Sequence, residues 1–337
     1  MPATRRSVTY AQAGVDISKG DAFVEHIKGK AKGIGGFGGL FPMPRGYKTP
    51  VLVSSTDGVG TKLLVADAVG KHDTIGIDLV AMVVNDIVVC GAKPLFFLDY
   101  FASGRLDLKQ AKQVFAGIAE GCEQAGCPIL GGETAELPGI YAPGIYDLAG
   151  FAVGVVEKSK VLNPASVRPG NQLIGLASSG LHSNGYSLAR HIVFEIAGLK
   201  AKDKVKQLGG SIGAALLTPT RIYVKTILEV LKKHTVRSIA HITGGGITGN
   251  LNRALSPKTD AVVDASSWSQ PPIFHWLAQN GPVEFEEMYR TFNMGVGMIL
   301  VVPKEETSPI LKTLERLGEQ AWHIGEVRKG SGGVVLE

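Results

Sequence analysis

A two-domain α+β chain is predicted for these 337 residues from three observations. Apolar strand-like runs end repeatedly in glycine-rich turns that lead into helical periodicity. The stretch VLNPASVRPGN, residues 161–171, is rich in proline and polar residues and reads as a linker. The length suits two domains. The boundary is placed between residues 165 and 166, with an α/β layer domain after it.

Composition narrows the function class. Hydrophobic residues are 45% and charged residues 19% of the chain, so a folded soluble protein is expected. The 44 glycines are not periodic, which excludes a collagen-like chain. A net charge of +5 is mild and spread out, so no nucleic-acid interface is expected, and an anionic small substrate fits. The three cysteines, Cys90, Cys122 and Cys127, form no zinc or disulfide pattern and point to a reducing compartment. No apolar run is long enough to span a membrane and no signal-peptide core is present. A cytoplasmic protein is expected.

The first half begins with a short helix whose buried face is Phe23, Val24 and Ile27, followed by Lys28. Residues 29–50 read as a glycine-rich loop, either a binding loop or a disordered one. VLVSSTDGVGTK, residues 51–62, is a strand followed by an acid, glycines, a threonine and a lysine. Asp57 can hold magnesium. Gly58 and Gly60 let backbone N–H groups approach a phosphate, with Thr61 between them and Lys62, which can neutralise a phosphoryl oxygen. A hairpin turn at Asp57–Gly58 with a solvated lysine is the competing reading.

Residues 76–92 read as a buried helix interrupted by Asp78, Asn85 and Asp86, which share one polar stripe. Asp78 suits an N-cap; Asp86, deep in the helix, suits a metal or a nucleotide. A strand follows Pro94. Residues 107–126 read as an amphipathic helix capped by Asp107, with Ala111, Val114, Phe115, Ile118 and Cys122 inward. Beyond it, Glu133 and Glu136 follow a strand and a Gly-Gly pair, either as a magnesium site or as a solvated acidic loop. A further strand from Asp147 closes this half.

The second half opens with the strand QLIGLASS and a turn carrying Ser179, Gly180, His182, Ser183 and Asn184 at the mouth of a helix from Tyr186. Such a mouth holds anions, although capping explains part of the pattern. A helix over 220–233 follows. The strand SIAHIT then meets Gly244, Gly245 and Gly246, a second anion-loop candidate. Strands and helices alternate from there to the end.

SSTDGVGTK, DLVAMVVNDIVVCGAKPLFFLDYFASG, GGETAELPG, SSGLHSNGYSL, HITGGG and MYRTFNMGVGM together resemble the phosphoribosylformylglycinamidine cyclo-ligases, over essentially the whole chain. The resemblance implies ATP with magnesium, and closure of formylglycinamidine ribonucleotide to 5-aminoimidazole ribonucleotide. It implies a homodimer whose N-terminal mixed sheets pair across the dimer into a barrel, with residues 1–165 binding ATP. Asp57, Lys62 and Lys28 match nucleotide-site positions, Asn85 and Asp86 of the buried-helix motif are taken as nucleotide-binding beside them, and Asp86 and Glu133 fall on acidic positions suited to metal. Lys28, Lys62 and His182 are taken as catalytic, with His182 either bonding the substrate or moving a proton when the ring closes. The Ser179–Asn184 and Gly244–Gly246 loops are taken as substrate-binding. Met294 stands where some relatives have cysteine, which argues against a required thiol. Two rivals are weighed: another ATP-using enzyme of the superfamily, and an idle nucleotide-binding or scaffold subunit.

Overall fold

The structure, a computed structural model, describes residues 14–28 and 38–337. Residues 29–37 of the glycine-rich loop and the basic start at Thr4–Arg6 lie outside the described residues.

The first half is built on a four-stranded mixed sheet. Strand β1 (Pro50–Gly58) pairs along its whole length with β4 (Tyr146–Glu157), antiparallel, and Asp57 sits opposite Gly150. Asp57 and Gly58 are therefore strand residues, and the hairpin-turn reading fails. Next to β4 lies β2 (Lys93–Ser103), also antiparallel; β3 (Ile129–Glu136) runs parallel to β2, giving the order β1-β4-β2-β3. A parallel pair needs a crossover, and α4 (Leu108–Ala125) supplies it. As expected, Asp107 caps α4, accepting from the N–H groups of Lys109 and Gln110, and the five apolar positions predicted to face inward are buried.

Helix α1 (Ile17–Lys28) packs on α4 through an edge contact of Phe23 with Phe115. Val24, expected inside, is 40% exposed. Phe23 is the one buried side chain of this helix, Ile27 is half-buried, and both Val24 and Ile27 line an open cavity. Helix α2 (Lys62–Val69) follows β1, and α3 (Ile75–Val88) lies on the sheet, buried along nearly its whole length. Helices α3 and α4 meet where Gly76 faces Gly117. A Cβ on Gly76 would come within 2.1 Å of the Ile118 nitrogen, so only glycine permits the contact. The sheet face away from α3 leaves Leu52, Tyr100 and Phe151 exposed, at 56%, 40% and 37%.

The second half has a six-stranded sheet. Its strands are β5 (Gln172–Ala177), β8 (Ser238–His241), β9 (Thr259–Val263), β10 (Val296–Val302), β11 (Ala321–Lys329) and β12 (Val334–Leu336), in the order β12-β9-β11-β5-β10-β8. A small hairpin of β6 (Lys204–Val205) and β7 (Gly210–Ser211) stands apart. The helices are α5 (Tyr186–Arg190), continued by a π-helical turn over His191–Ile196, α6 (Ile212–Leu216), α7 (Val224–Lys233), α8 (Gly246–Leu251), α9 (Pro272–Asn280), α10 (Phe285–Thr291) and α11 (Thr307–Arg316). Alternation of strand and helix does not make this sheet parallel: only β9 and β12 pair that way, and the other neighbours are antiparallel. The predicted layer domain is thus α+β with a mixed sheet. Every residue of β5 and β10 is buried, so both faces of the sheet centre are covered.

Candidate active site

The two halves are joined by a buried polar knot. Lys62 is fully buried. Its Nζ donates to Asp78 Oδ1, the His182 carbonyl and the Thr218 carbonyl, each at 2.8 Å. An ammonium has three protons, and all three are occupied by protein. The expectation that Lys62 neutralises a phosphoryl oxygen is corrected: it is a structural cation. Burial pushes its pKa down, partly offset by the Asp78 charge. Asp78 is not an N-cap either. Its Oδ1 also accepts from the Thr220 N–H and hydroxyl, both at 2.7 Å, and from Ser183 Oγ at 3.3 Å.

Asn85 is likewise committed to structure. Its Nδ2 donates to the Arg221 carbonyl and its Oδ1 accepts from the Tyr223 N–H, which fixes the segment entering α7. Its assignment to nucleotide binding is corrected on that ground. One residue further, Asp86 points into the crevice between the halves with its side chain 46% exposed. Its Oδ1 is 2.8 Å from Nδ1 of His241, a buried residue that ends β8. The other ring nitrogen of His241 faces the Asn85 amide N–H group at 3.5 Å. That donor makes Nε2 the acceptor and leaves Nδ1 carrying the proton toward Asp86.

Asp57 completes the acidic pair. Burial raises its pKa, the Gly58 N–H lowers it, and the negative charge of Asp86 raises it again, with His241 opposing. A carboxylate whose charge is disfavoured by a neighbouring carboxylate makes a place where a cation is favoured. Magnesium commonly takes one or two carboxylates plus water and substrate phosphates, so Asp57 and Asp86 fit it. Among the described residues no three His, Cys, Asp or Glu side chains converge on a metal position.

Glu133 does not join them. Asp57 pairs with Gly150, Gly150 with Asp99, and Asp99 with Gly132. That row puts three inter-strand steps, about 14 Å, between Asp57 and Gly132. Glu133, one residue on, faces the opposite side of the sheet. A one-chain metal site of Asp57, Asp86 and Glu133 is corrected accordingly. Glu133 instead lines a cavity of about 410 Å³ with Asp16, Asp21, Asp99 and Glu136. Lys28 ends α1 on that same side and is ion-paired to Glu25 at 2.7 Å, so it is not beside Asp57 either.

The two glycine loops do meet. A Cβ on Gly244 would lie 3.3 Å from Asn184 Oδ1. Gly245 and Gly246 have φ of +96° and +60°, and a Cβ on Gly246 would strike the Tyr289 carbonyl at 1.9 Å. Gly244 is exposed and Asn184 half-buried, so both are open to a ligand. Thr61 Oγ1 approaches Ser187 Oγ at 3.2 Å across the same boundary. Gly58 and exposed Gly60 lead up to it. Within the Ser179–Asn184 turn, Ser179 Oγ donates to the Pro219 carbonyl and Ser183 is drawn into the knot, while the Gly180 carbonyl accepts from Asn293.

His182 is turned inward. It is 1% exposed and adopts the left-handed conformation, φ +61°. Its Nε2 accepts the Ser179 N–H at 3.2 Å, so the proton sits on Nδ1, which has no partner among the described residues. Burial holds its pKa well below the usual value, and the nearby His241, Lys62 and Arg221 charges push the same way. A neutral imidazole whose basic nitrogen is occupied does not shuttle protons, so the proton-transfer expectation for His182 is corrected. His241 was missed as a site residue. Its signal was a polar residue ending a wholly buried strand just before three glycines.

Two family models match the chain: the AIR synthase related protein N-terminal domain over residues 47–156 and the corresponding C-terminal domain over 168–337. The phosphoribosylformylglycinamidine cyclo-ligase of Myxococcus xanthus is 56% identical, covering 96% of this chain and 97% of its own. That of Sorangium cellulosum is 55% identical, covering 95% of each. Among solved structures, Escherichia coli HypE, a hydrogenase maturation protein, aligns with a TM-score of 0.69 at 17% identity, covering 96% of this chain and 93% of its own. Thiamine-monophosphate kinase from Stenotrophomonas maltophilia aligns at 0.64 and 15%, covering 94% and 95%. Those two share the fold; the sequence relatives share far more, and on their evidence the chain belongs to the phosphoribosylformylglycinamidine cyclo-ligase family.

Proposed function

We propose that this protein uses ATP to close formylglycinamidine ribonucleotide into 5-aminoimidazole ribonucleotide, releasing ADP and phosphate, in the purine pathway of the cytoplasm. Family membership supports the reaction. The observation that carries the site is the contact of Asp86 with His241 at 2.8 Å. It joins the acidic pair of the first half to the strand that leads into Gly244–Gly246.

The formamide carbonyl is a poor electrophile. In the proposed reaction its oxygen attacks the γ-phosphorus of ATP, ADP leaves, and the oxygen becomes part of an iminophosphate. The amidine nitrogen then closes the ring and phosphate departs. Such transfers depend on positioning and charge neutralisation rather than on a protein nucleophile. Asp57 and Asp86 would hold magnesium, which supplies neutralisation of the ATP phosphates. The His241 N–H orients the Asp86 carboxylate. Asn184 and Gly244–Gly246 would take the ribose phosphate through short side chains and close backbone approach.

The same reading includes a homodimer. The four-stranded sheet has free edges at β1 and β3 and an apolar outer face bearing Leu52, Tyr100 and Phe151. Two such sheets joined edge to edge make an eight-stranded barrel that buries the face. A β1 edge would then lie beside the other copy's β3. An idle scaffold has no use for a carboxylate pair in a crevice.

Purified protein with ATP, magnesium and formylglycinamidine ribonucleotide should release phosphate and an aminoimidazole in equal amounts. ATP hydrolysis without the amine, or no turnover, would remove the assignment.

A further inference from the structure

A second cavity lies at the other end of the first sheet. It measures about 880 Å³ and is walled by both halves of the chain, through the segment that leads into β1, the ends of β2 and β4 and one face of α7. Pro50 of β1 pairs with Glu157 and Asp57 with Gly150. Seven residues of strand, about 23 Å, therefore separate this cavity from the acidic pair.

Its charge is one-sided. Lys48, Lys93, Lys158 and Lys160 line it, and none of the four has a carboxylate partner among the described residues. A fifth lysine, Lys232, is paired with Glu229 on its own helix. Glu157 is the acid in the wall. Its two oxygens accept the backbone N–H groups of Lys48 and Thr49, at 2.7 and 2.9 Å, and so hold the wall together. The backbone under the lysines is fixed as well. The Lys158 N–H donates to the Thr49 carbonyl at 2.9 Å, and Lys93 begins a strand opposite Val155. Four ammoniums gathered on fixed backbone repel one another, a cost that a polyanion removes.

The remaining wall is apolar. Val155 and Val156 are buried beneath the cavity, Leu228 and Leu231 of α7 are half-buried, and Tyr47 adds a half-buried ring. Lysines beside an apolar and aromatic wall match a ligand with phosphates at one end and a flat ring at the other. We propose that this cavity is a second binding site for a nucleoside polyphosphate, with the phosphates on Lys48, Lys93, Lys158 and Lys160 and the base against Tyr47 and the two leucines. Occupancy ties α7 of the second half to the first sheet, away from the catalytic crevice.

The test is equilibrium dialysis of the full chain with ATP at 0.15 M salt, where exposed charges are screened beyond about 8 Å. The wild type is compared with Lys158→Glu/Lys160→Glu, whose two positions are exposed and whose fold is checked by thermal melting. The wild type should bind one more equivalent of ATP per chain than the variant, or the variant should hold that equivalent at least about tenfold more weakly. Turnover at saturating substrates should be unchanged, which separates this site from the catalytic one. Inorganic tripolyphosphate should displace the extra equivalent less effectively than ATP. Equal stoichiometry and affinity in the two proteins would overturn the site, and equal competition by tripolyphosphate would overturn its nucleoside half.

Discussion

Lys62 and Asp57 lie five positions apart in sequence and do opposite things. Lys62 is enclosed, and removing one member of a buried, hydrogen-bonded ion pair typically costs about 3–5 kcal/mol. Lys62→Met should therefore lower stability by that order in urea unfolding; a loss below about 1 kcal/mol would show that Asp78 finds other partners. Asp57→Asn should leave the melting temperature near that of the wild type and reduce ATP turnover at least about a hundredfold, because the charge facing magnesium is lost. Near-normal turnover would take Asp57 out of the metal site. Asp99 offers a pH test. Burial raises its carboxyl to about 7, above the unfolded value of about 3.9. Its contribution to stability is complete below the unfolded value and is lost as pH rises through 7. The urea midpoint of the wild type should carry a decline between pH 5 and pH 8 that Asp99→Asn lacks. Identical pH profiles for the two proteins would show that Asp99 titrates normally.

At the level of elements, periodicity and capping were legible wherever one element answered to local rules. Helix α4 is the clear case, with its Asp107 cap and its inward stripe matching expectation. The two glycine loops were also readable, because a positive φ and close backbone approach leave glycine as the residue that fits. What the sequence hid were partners supplied from far away. Nothing near Lys62 tells that its acceptors are residues 78, 182 and 218, and nothing near Glu133 tells that the strand order separates it from Asp57. His241 was hidden for the same reason, since Asp86 lies 155 residues away. The Gly244–Gly246 loop gives an element-scale prediction. Gly246→Ala adds a Cβ against the Tyr289 carbonyl at a φ of +60°. It should destabilise the protein by about 1–3 kcal/mol and raise KM for the ribonucleotide more than KM for ATP. An equal rise in both would move the ribose phosphate away from this loop.

For the whole molecule, the uncovered face of the first sheet is the main unresolved surface, and a symmetric pair is the commonest way to close one. Sedimentation at micromolar concentration should give ~71 kDa, twice the 35.5 kDa chain. Replacing Leu52 and Phe151 together by lysine should shift the protein toward the monomer with loss of activity. A fully active monomer of the unmodified chain would defeat the barrel.

The knot around Lys62 also bears on how the chain comes off a ribosome. The first half emerges with a lysine that must be enclosed, yet two of its three acceptors belong to residues 182 and 218. Until those residues are made, the Lys62 ammonium has Asp78 for one proton and only water for the other two, and the core around it stays open. Final closure of the first half must therefore wait for synthesis of the second. Severed at the linker, the pieces would each lack what the other supplies, and the intact chain should melt as a single unit in spite of its two sheets.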